Sequence, residues 1–278
     1  LRRYSRTRWF RGPGWFPRLR RFAGADHRRA FTLNLHGFTI SCVADNVGVG
    51  VGIDLTGVRA QVQDGTVADC GKGVVVEGDG RHELRRLIVT SPDLTTDQGI
   101  GFQVKSDRNR FIENAVQEYA GEGFRLGDDD VPANRNVLVR NEATDNANHG
   151  FRVRIGQQNL LLNHAEHNAT EGFRTQDGSN RFIANTAIGN GDEGFRLRDV
   201  AAQDNAVIGN TAEGNGLPED NDQISCNFPP PQGQEPDINP GIVISNDAAN
   251  NKIIGNVTQG NCVGIGVETG SQSNEITK

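Results

Sequence analysis

A glycine followed by an apolar residue returns along this chain at near-regular intervals: Gly52, Gly73, Gly101, Gly123, Gly150, Gly172, Gly194, Gly241 and Gly264. The intervals are 21, 28, 22, 27, 22, 22, 47 and 23 residues. Insertions explain most departures from a period of about 22: DDDVP lengthens the 27, and a proline-rich stretch at 216–240 lengthens the 47. A second pattern runs between the glycines. Asn136, Asn141 and Asn146 frame NVLVRNEATDN, Asn180, Asn185 and Asn190 frame NRFIANTAIGN, and the same five-residue pacing returns at Asn205, Asn210, Asn215 and at Asn251, Asn256, Asn261. At 158 a glutamine, Gln158, stands where the other units have asparagine.

A unit this short cannot house a pair of helices, and a fixed period of this size means a stacked array. Each unit reads as three short strands separated by Asn or Gly corners. Such strands cannot stand alone. Winding the chain into a coil sets each strand parallel to its own copy, about 4.8 Å away. Inward residues then form ladders: Phe102, Phe124, Phe151, Phe173 and Phe195 on one wall, Ala143, Ala165, Ala187 and Ala212 on another. Asparagine is assigned to the corners for two reasons. It tolerates left-handed backbone, and its amide can bond the asparagine one coil away. Spacing leaves the hand of the coil open.

The N-x-x-[IV]-x-x-N units with their G-[FI] strands are similar to the parallel β-helix repeats of NosD-type and pectin-lyase-like proteins, and TLNLHGFTI (32–40) resembles that family's opening coil. The L-x-x-L-x-L-x-x-N pattern of leucine-rich repeats is absent. Over residues 31–278 the resemblance implies an all-β, single-stranded, right-handed parallel β-helix of about nine or ten coils. It implies a place outside the cytoplasm: extracellular, on the cell surface or periplasmic. Two function classes follow from it. One is a carbohydrate-binding or surface-structural β-helix without catalysis of its own. The other is a lyase or glycoside hydrolase acting on an acidic polysaccharide.

Charge separates a head from this body. Residues 1–30 carry ten arginines and one acid, Asp26, whereas residues 31–278 carry 19 basic and 34 acidic residues. The head also holds Trp9 and Trp15. It shows neither strand nor helix periodicity and reads as a disordered basic segment. Arg2-Arg3 has no apolar stretch after it, so no signal peptide is recognisable. The acidic body argues against nucleic acid as its partner, since phosphate binding needs clustered positive charge. No apolar run is long enough for a transmembrane helix. The chain begins at Leu1 and contains no Met, which reads as a processed or partial chain, and SNEITK at its end reads as the first strand of a further coil.

Four cysteines admit three pairings. The repeat register aligns HGFTISC (36–42) with DGTVADC (64–70), placing Gly37 over Gly65 and Cys42 over Cys70. One coil apart, their Cα atoms would lie about 5 Å from each other, within disulfide range. Cys226 precedes the coil of Cys262, which makes Cys226–Cys262 the second pair. Buried free thiols are the alternative; disulfides would imply export.

Arg125, Arg152, Arg174 and Arg196 share one repeat position after Phe, with Gln103 beginning the column and Arg154 and Arg198 adding a partial second one. Before the glycines stand Glu122, His149, Glu171 and Glu193. Guanidinium groups stacked at strand spacing repel unless anions lie among them. The column is therefore either an inter-coil Glu–Arg lattice or a strip that grips an acidic polymer through charge-assisted bonds. For the lyase class, which needs an Arg or Lys base and a neutralised uronate carboxylate, the candidates are Arg152 and Arg174 with Ca²⁺ at Asp128–Asp130. Asp128, Asp129 and Asp130 form the sharpest acidic cluster, a candidate Ca²⁺ site or a solvated turn. His149 stands at the other end of the equivalent strand from that cluster, too far for polygalacturonase chemistry, and the N-T-D motif of those enzymes is absent. His164-Ala-Glu-His167 follows a strand and corner rather than one helical face, and no soft ligand near in sequence completes a copper site. The Y-G-F-D-P-H signature of mannuronan epimerases is absent.

Overall fold

The computed structural model describes residues 30–42, 50–91, 99–216 and 240–278. The basic head, nearly all of the 216–240 insertion, and Cys226 lie outside the described residues. Among those described, every helix-or-strand element is a strand. One coil shows the plan: Arg181–Ile183 and Thr186–Ile188 belong to a 17-stranded sheet, and Phe195–Arg198 to a nine-stranded sheet. Each strand pairs in parallel with its copies in the coils before and after. The nine stacked strands of the second sheet begin at Val51–Leu55 and end at Val263–Val267, so eight turns separate the first from the last.

The expected ladders are present. Phe124 pairs with Phe151, Phe151 with Phe173, and Phe173 with Phe195. Their rings stack with centroids 4.7–4.8 Å apart and planes within 6° of parallel. Ring spacing thus copies strand spacing, and every ring is buried. Full burial of a Phe stabilises by about 1.5–3 kcal/mol. Ala143, Ala165, Ala187 and Ala212 stack in the same way. These alanines face the glycine column, where the two sheets pinch together. A Cβ added at Gly172 would lie 2.9 Å from the carbonyl oxygen of Gly194 and 3.0 Å from Ala187 Cβ. Small residues on both walls are what let the corner close.

The asparagines form three buried ladders. At the middle corner Asn141 bonds Asn163, Asn163 bonds Asn185 and Asn185 bonds Asn210, each Nδ2 donating to the next Oδ1 at 3.0 Å. The same Oδ1 also accepts the backbone N–H of the asparagine before it, and each Nδ2 donates again to a strand carbonyl. The left-handed backbone belongs elsewhere. It falls on the residue before each asparagine: Glu113, Arg140, Leu162 and Ala184, at φ between 52° and 56°, then Gly209. The assignment of left-handed conformations to these asparagines is therefore corrected; their role is the inward amide ladder. A left-handed non-glycine residue costs about 1–2 kcal/mol, and the ladder fixes the corner strongly enough to hold it there. Gln158, one methylene longer, turns its Nε2 to the carbonyl of Ala133, and Asn136 Nδ2 is left buried without a partner.

The first coil departs from simple register. Leu33 pairs with Val62 but Ile40 with Val67, so two extra residues sit at its corner, where His36 and Gly37 both take positive φ. Gly37 consequently does not sit over Gly65. Cys42 and Cys70 are nonetheless bonded, with Cα atoms 5.0 Å apart. Cys262 is disulfide-bonded as well, and no described cysteine is free; its expected partner, Cys226, lies outside the described residues.

Candidate functional site

Alternation within the second sheet decides which side chains face out. In Glu122–Leu126 and its copies, Phe and the residue two positions on (Leu126, Val153, Thr175, Leu197) turn inward, and the Arg between them turns outward. Arg125, Arg152, Arg174 and Arg196 are direct register partners, so the expected column exists. Their side chains are between 13% and 22% exposed, whereas Glu122 and Glu171 beside them are 2% exposed. The glutamates precede the pinched glycines and are drawn under the guanidinium groups.

Pairing along the column is uneven. At the N-terminal end Glu122 is shared at short range: Arg125 Nε donates to Oε2 at 2.6 Å and Arg152 Nη1 to Oε1 at 2.7 Å. Arg152 completes its set on Gln176, donating from Nε and Nη2 to Oε1 at 3.1 and 2.8 Å. Further along, Arg174 Nη1 lies 3.4 Å from Glu171, and Arg196 Nη1 lies 3.6 Å from Glu171 and 3.4 Å from Glu193. The Nε groups of Arg174, Arg196 and Arg198 are buried without hydrogen-bond acceptors.

His149 fills the glutamate position in its coil. Its Nδ1 lies 2.6 Å from Glu171 Oε2, and its Nε2 lies 3.3 Å from Arg174 Nη1. A proton on Nδ1 satisfies both contacts: Nδ1–H donates to the carboxylate and Nε2 accepts from the guanidinium. Burial works to raise the Glu171 carboxyl, but His149 and Arg174 outweigh it and hold it down at about 2. Glu122 is likewise lowered, against burial, by Arg125 and Arg152. Glu193 goes the other way. Burial pushes it up to about 7, and Glu171 adds to the rise while Arg196 only partly offsets it. Arg174 is lowered by burial and by Arg152, Arg198 and Arg196 around it, Glu171 opposing. Positive charge on this face is not fully balanced.

The aspartate cluster is dispersed among other partners. Asp128 accepts from Gln103 at 2.9 Å and lies 3.2 Å from Lys105 Nζ, Asp129 pairs with Arg154, and Asp130 is exposed. His164 and Glu166 are 3.0 Å apart, on either side of inward Ala165. Among the described residues no group of three His, Cys, Asp or Glu side chains gathers to hold a metal ion. Two members of the arginine face escaped sequence reading, Gln176 and Asp199; Gln176 Nε2 donates to Asp199 Oδ2 at 2.9 Å. Their repeat positions after Arg174 and Arg196 were the available signal.

The right-handed β-helix region family matches residues 98–278. The chain belongs to that family. No curated protein sequence matches it. Among solved structures, this right-handed β-helix is similar to the A-module of the Azotobacter vinelandii mannuronan C-5 epimerase AlgE4, at 15% identity and TM-score 0.50, over 89% of this chain and 83% of that one. It is also similar to the periplasmic alginate epimerase AlgG, at 14% identity and TM-score 0.43, over 89% of this chain and 57% of that one. A third is the Dettilon tailspike protein, at 12% identity and TM-score 0.47, over 89% and 59%. The right-handed β-helix thus spans less than two thirds of the last two chains. No helix among the described residues is long and apolar enough to cross a membrane.

Proposed function

We propose that this β-helix is an exported polysaccharide-binding protein without catalysis of its own, and that it takes an acidic polymer along Arg125, Arg152, Arg174 and Arg196. One observation carries this reading. Four guanidinium groups in register share three carboxylates, and one of the three, Glu193, is pushed up to about 7. The face therefore holds excess positive charge in an otherwise acidic body. A chain of carboxylates laid across the strands would supply the missing anions through charge-assisted hydrogen bonds. The fold shared with a mannuronan C-5 epimerase module and the disulfide at Cys42–Cys70 are consistent with it.

The test is binding of polygalacturonate and of neutral dextran, compared between the wild type and Arg152→Ala/Arg174→Ala. Selective binding of the acidic polymer that the double variant loses supports the reading; binding that the double variant keeps removes it. A second reading, a lyase acting on the same polymer, is favoured by Arg174, which burial and its arginine neighbours hold below the ordinary range as a base requires. New absorbance from an unsaturated product, with or without Ca²⁺, would establish the lyase in place of the binder.

A further inference from the structure

We propose that the polymer's acidic group is taken up between Arg174 and Arg196, and that Glu193 is the internal anion it displaces from Arg196. This rests on the arginine face being a polymer-binding surface and says where along it the grip lies.

The two ends of the column are chemically unlike. Arg125 and Arg152 have Nε partners and contacts of 2.6–2.7 Å to Glu122, so nothing there waits for an external acceptor. Arg174 and Arg196 have Nε groups without acceptors, and their Nη1 atoms stand 3.4–3.6 Å from the carboxylates they share, while Arg198 Nε lies 3.4 Å from Asp199 Oδ1. Such donors gain most from an added anion, because a buried N–H left unpaired costs about 1–3 kcal/mol. Arg174 and Arg196 are register partners, about 4.8 Å apart, close enough for one carboxylate to accept from both.

Glu193 decides when that place is open. Its carboxylate reaches Arg196 Nη1 at 3.4 Å, a nitrogen already 3.6 Å from Glu171. One cation therefore serves two buried carboxylates. The charged groups acting on Glu193 are Glu171 from the coil before, and Arg196 and Asp192 from its own segment, with Arg174 in register beside Arg196. His149 stands behind Glu171, and among the described residues the coil after places Ile242 and Val243, neither of which titrates, against Phe195 and Arg196. Ionised, Glu193 competes with an incoming carboxylate both for Arg196 and by repulsion. Protonated, it gives the site up. Binding is therefore coupled to uptake of one proton at the Glu193 carboxyl.

The experiment measures polygalacturonate binding to the full chain at about pH 6 and pH 8, with dextran sulfate as a second probe. With Glu193 pushed up to about 7, wild-type affinity falls about tenfold between those values for a ligand that excludes the ionised form. Glu193→Gln is expected to bind at pH 8 as the wild type does at pH 6, a gain that a misfolded protein cannot imitate. Arg196→Gln should weaken binding by tenfold or more and Arg125→Gln by about threefold, tenfold being 1.4 kcal/mol. Arg181→Gln, on the other sheet, serves as the unchanged control. Dextran sulfate bound with the same pH response means that any strong anion fits; polygalacturonate alone means that the site requires a carboxylate, and either agrees with the assignment. An unaltered pH response in Glu193→Gln, or equal losses in Arg125→Gln and Arg196→Gln, overturns it while leaving the wider binding reading intact. No loss in either arginine variant removes both.

Discussion

Asn185 offers the clearest measure of what the amide ladders contribute. Its Oδ1 accepts the backbone N–H and the Nδ2 of Asn163 at 2.9 and 3.0 Å, and its Nδ2 donates to the carbonyl of Leu160 at 2.9 Å and to Asn210 Oδ1 at 3.0 Å. Asn185→Ala removes all four. Asn210 Oδ1 keeps the backbone N–H of residue 185, and Asn163 Nδ2 keeps Leu138. The Asn163 N–H and one Nδ2 hydrogen are left unpaired in the interior. At about 1–3 kcal/mol for each orphaned donor, the expected loss is about 4 kcal/mol, with Arg181→Ala on the exposed face as a control near zero. Urea unfolding followed by circular dichroism measures it. Because each coil contacts only its neighbours, a break in mid-stack should also split one transition into two. Asn185→Asp retains the Oδ1 acceptor but places an oxygen against Leu160 O and Asn210 Oδ1. It should be as damaging as Ala at neutral pH and partly recover at low pH, where the acid is protonated and can donate once. A loss below about 1 kcal/mol in Asn185→Ala would refute the claim that the ladder holds the corners.

Three further outcomes follow from the same contacts. Phe151→Ala removes the central ring of the stack and should cost about 3–5 kcal/mol by denaturant midpoint. Reducing the Cys42–Cys70 bond, which spans 28 residues, should lower stability by about 3–4 kcal/mol, seen as early exchange of the first-coil amides. Glu193 has an ordinary value of 4.5 and is pushed up to about 7, so the unfolded chain ionises first and the folded state loses stability as pH rises from the lower value to the higher. Glu193→Gln should therefore be more stable than wild type by about 3 kcal/mol at pH 8 and equal to it at pH 4. Glu171, held down at about 2, acts in the opposite sense: its contribution is complete above 4.5 and disappears as pH falls toward 2.

What could be read from the letters was whatever repeats in identity. The Phe and Ala ladders and the Arg column stand in register because the same residue returns at the same offset. The left-handed corners were misplaced because their occupants do not repeat: Glu113, Arg140, Leu162, Ala184 and Gly209 share a backbone shape without sharing chemistry. The first coil's two-residue surplus was hidden by the fortunate alignment of Cys42 with Cys70. In the candidate site, i,i+3 spacing makes the pairs Glu122–Arg125, Glu171–Arg174 and Glu193–Arg196 legible. The cross-coil choices are not. Arg152 reaches back to Glu122 because its own coil offers His149 instead of a glutamate, and it reaches forward to Gln176. These depend on side-chain rotamers, which spacing does not encode. The same holds for Asp128 and Asp129, whose neighbours Lys105 and Arg154 come from adjacent coils.

The gap at Asn136 shows how such a stack tolerates error. One glutamine in the wrong rung leaves the Asn136 amide idle, yet Asn109 Nδ2 still donates to Asn136 Oδ1 at 2.9 Å, and backbone donors carry the ladder past the gap, the Asn136 N–H to Gln158 Oε1 at 3.2 Å and the Gln158 N–H to Asn180 Oδ1 at 2.7 Å. The full amide ladder resumes at Asn205, whose Nδ2 donates to Asn251 Oδ1 at 3.0 Å. A lineage built this way can gain or lose whole storeys, or carry a long insertion between two of them, and pass the unaltered template on to the next. The length of the charged column is then a counted quantity, adjustable one guanidinium at a time, and it can be matched to the repeat of a polymer without redesigning anything underneath.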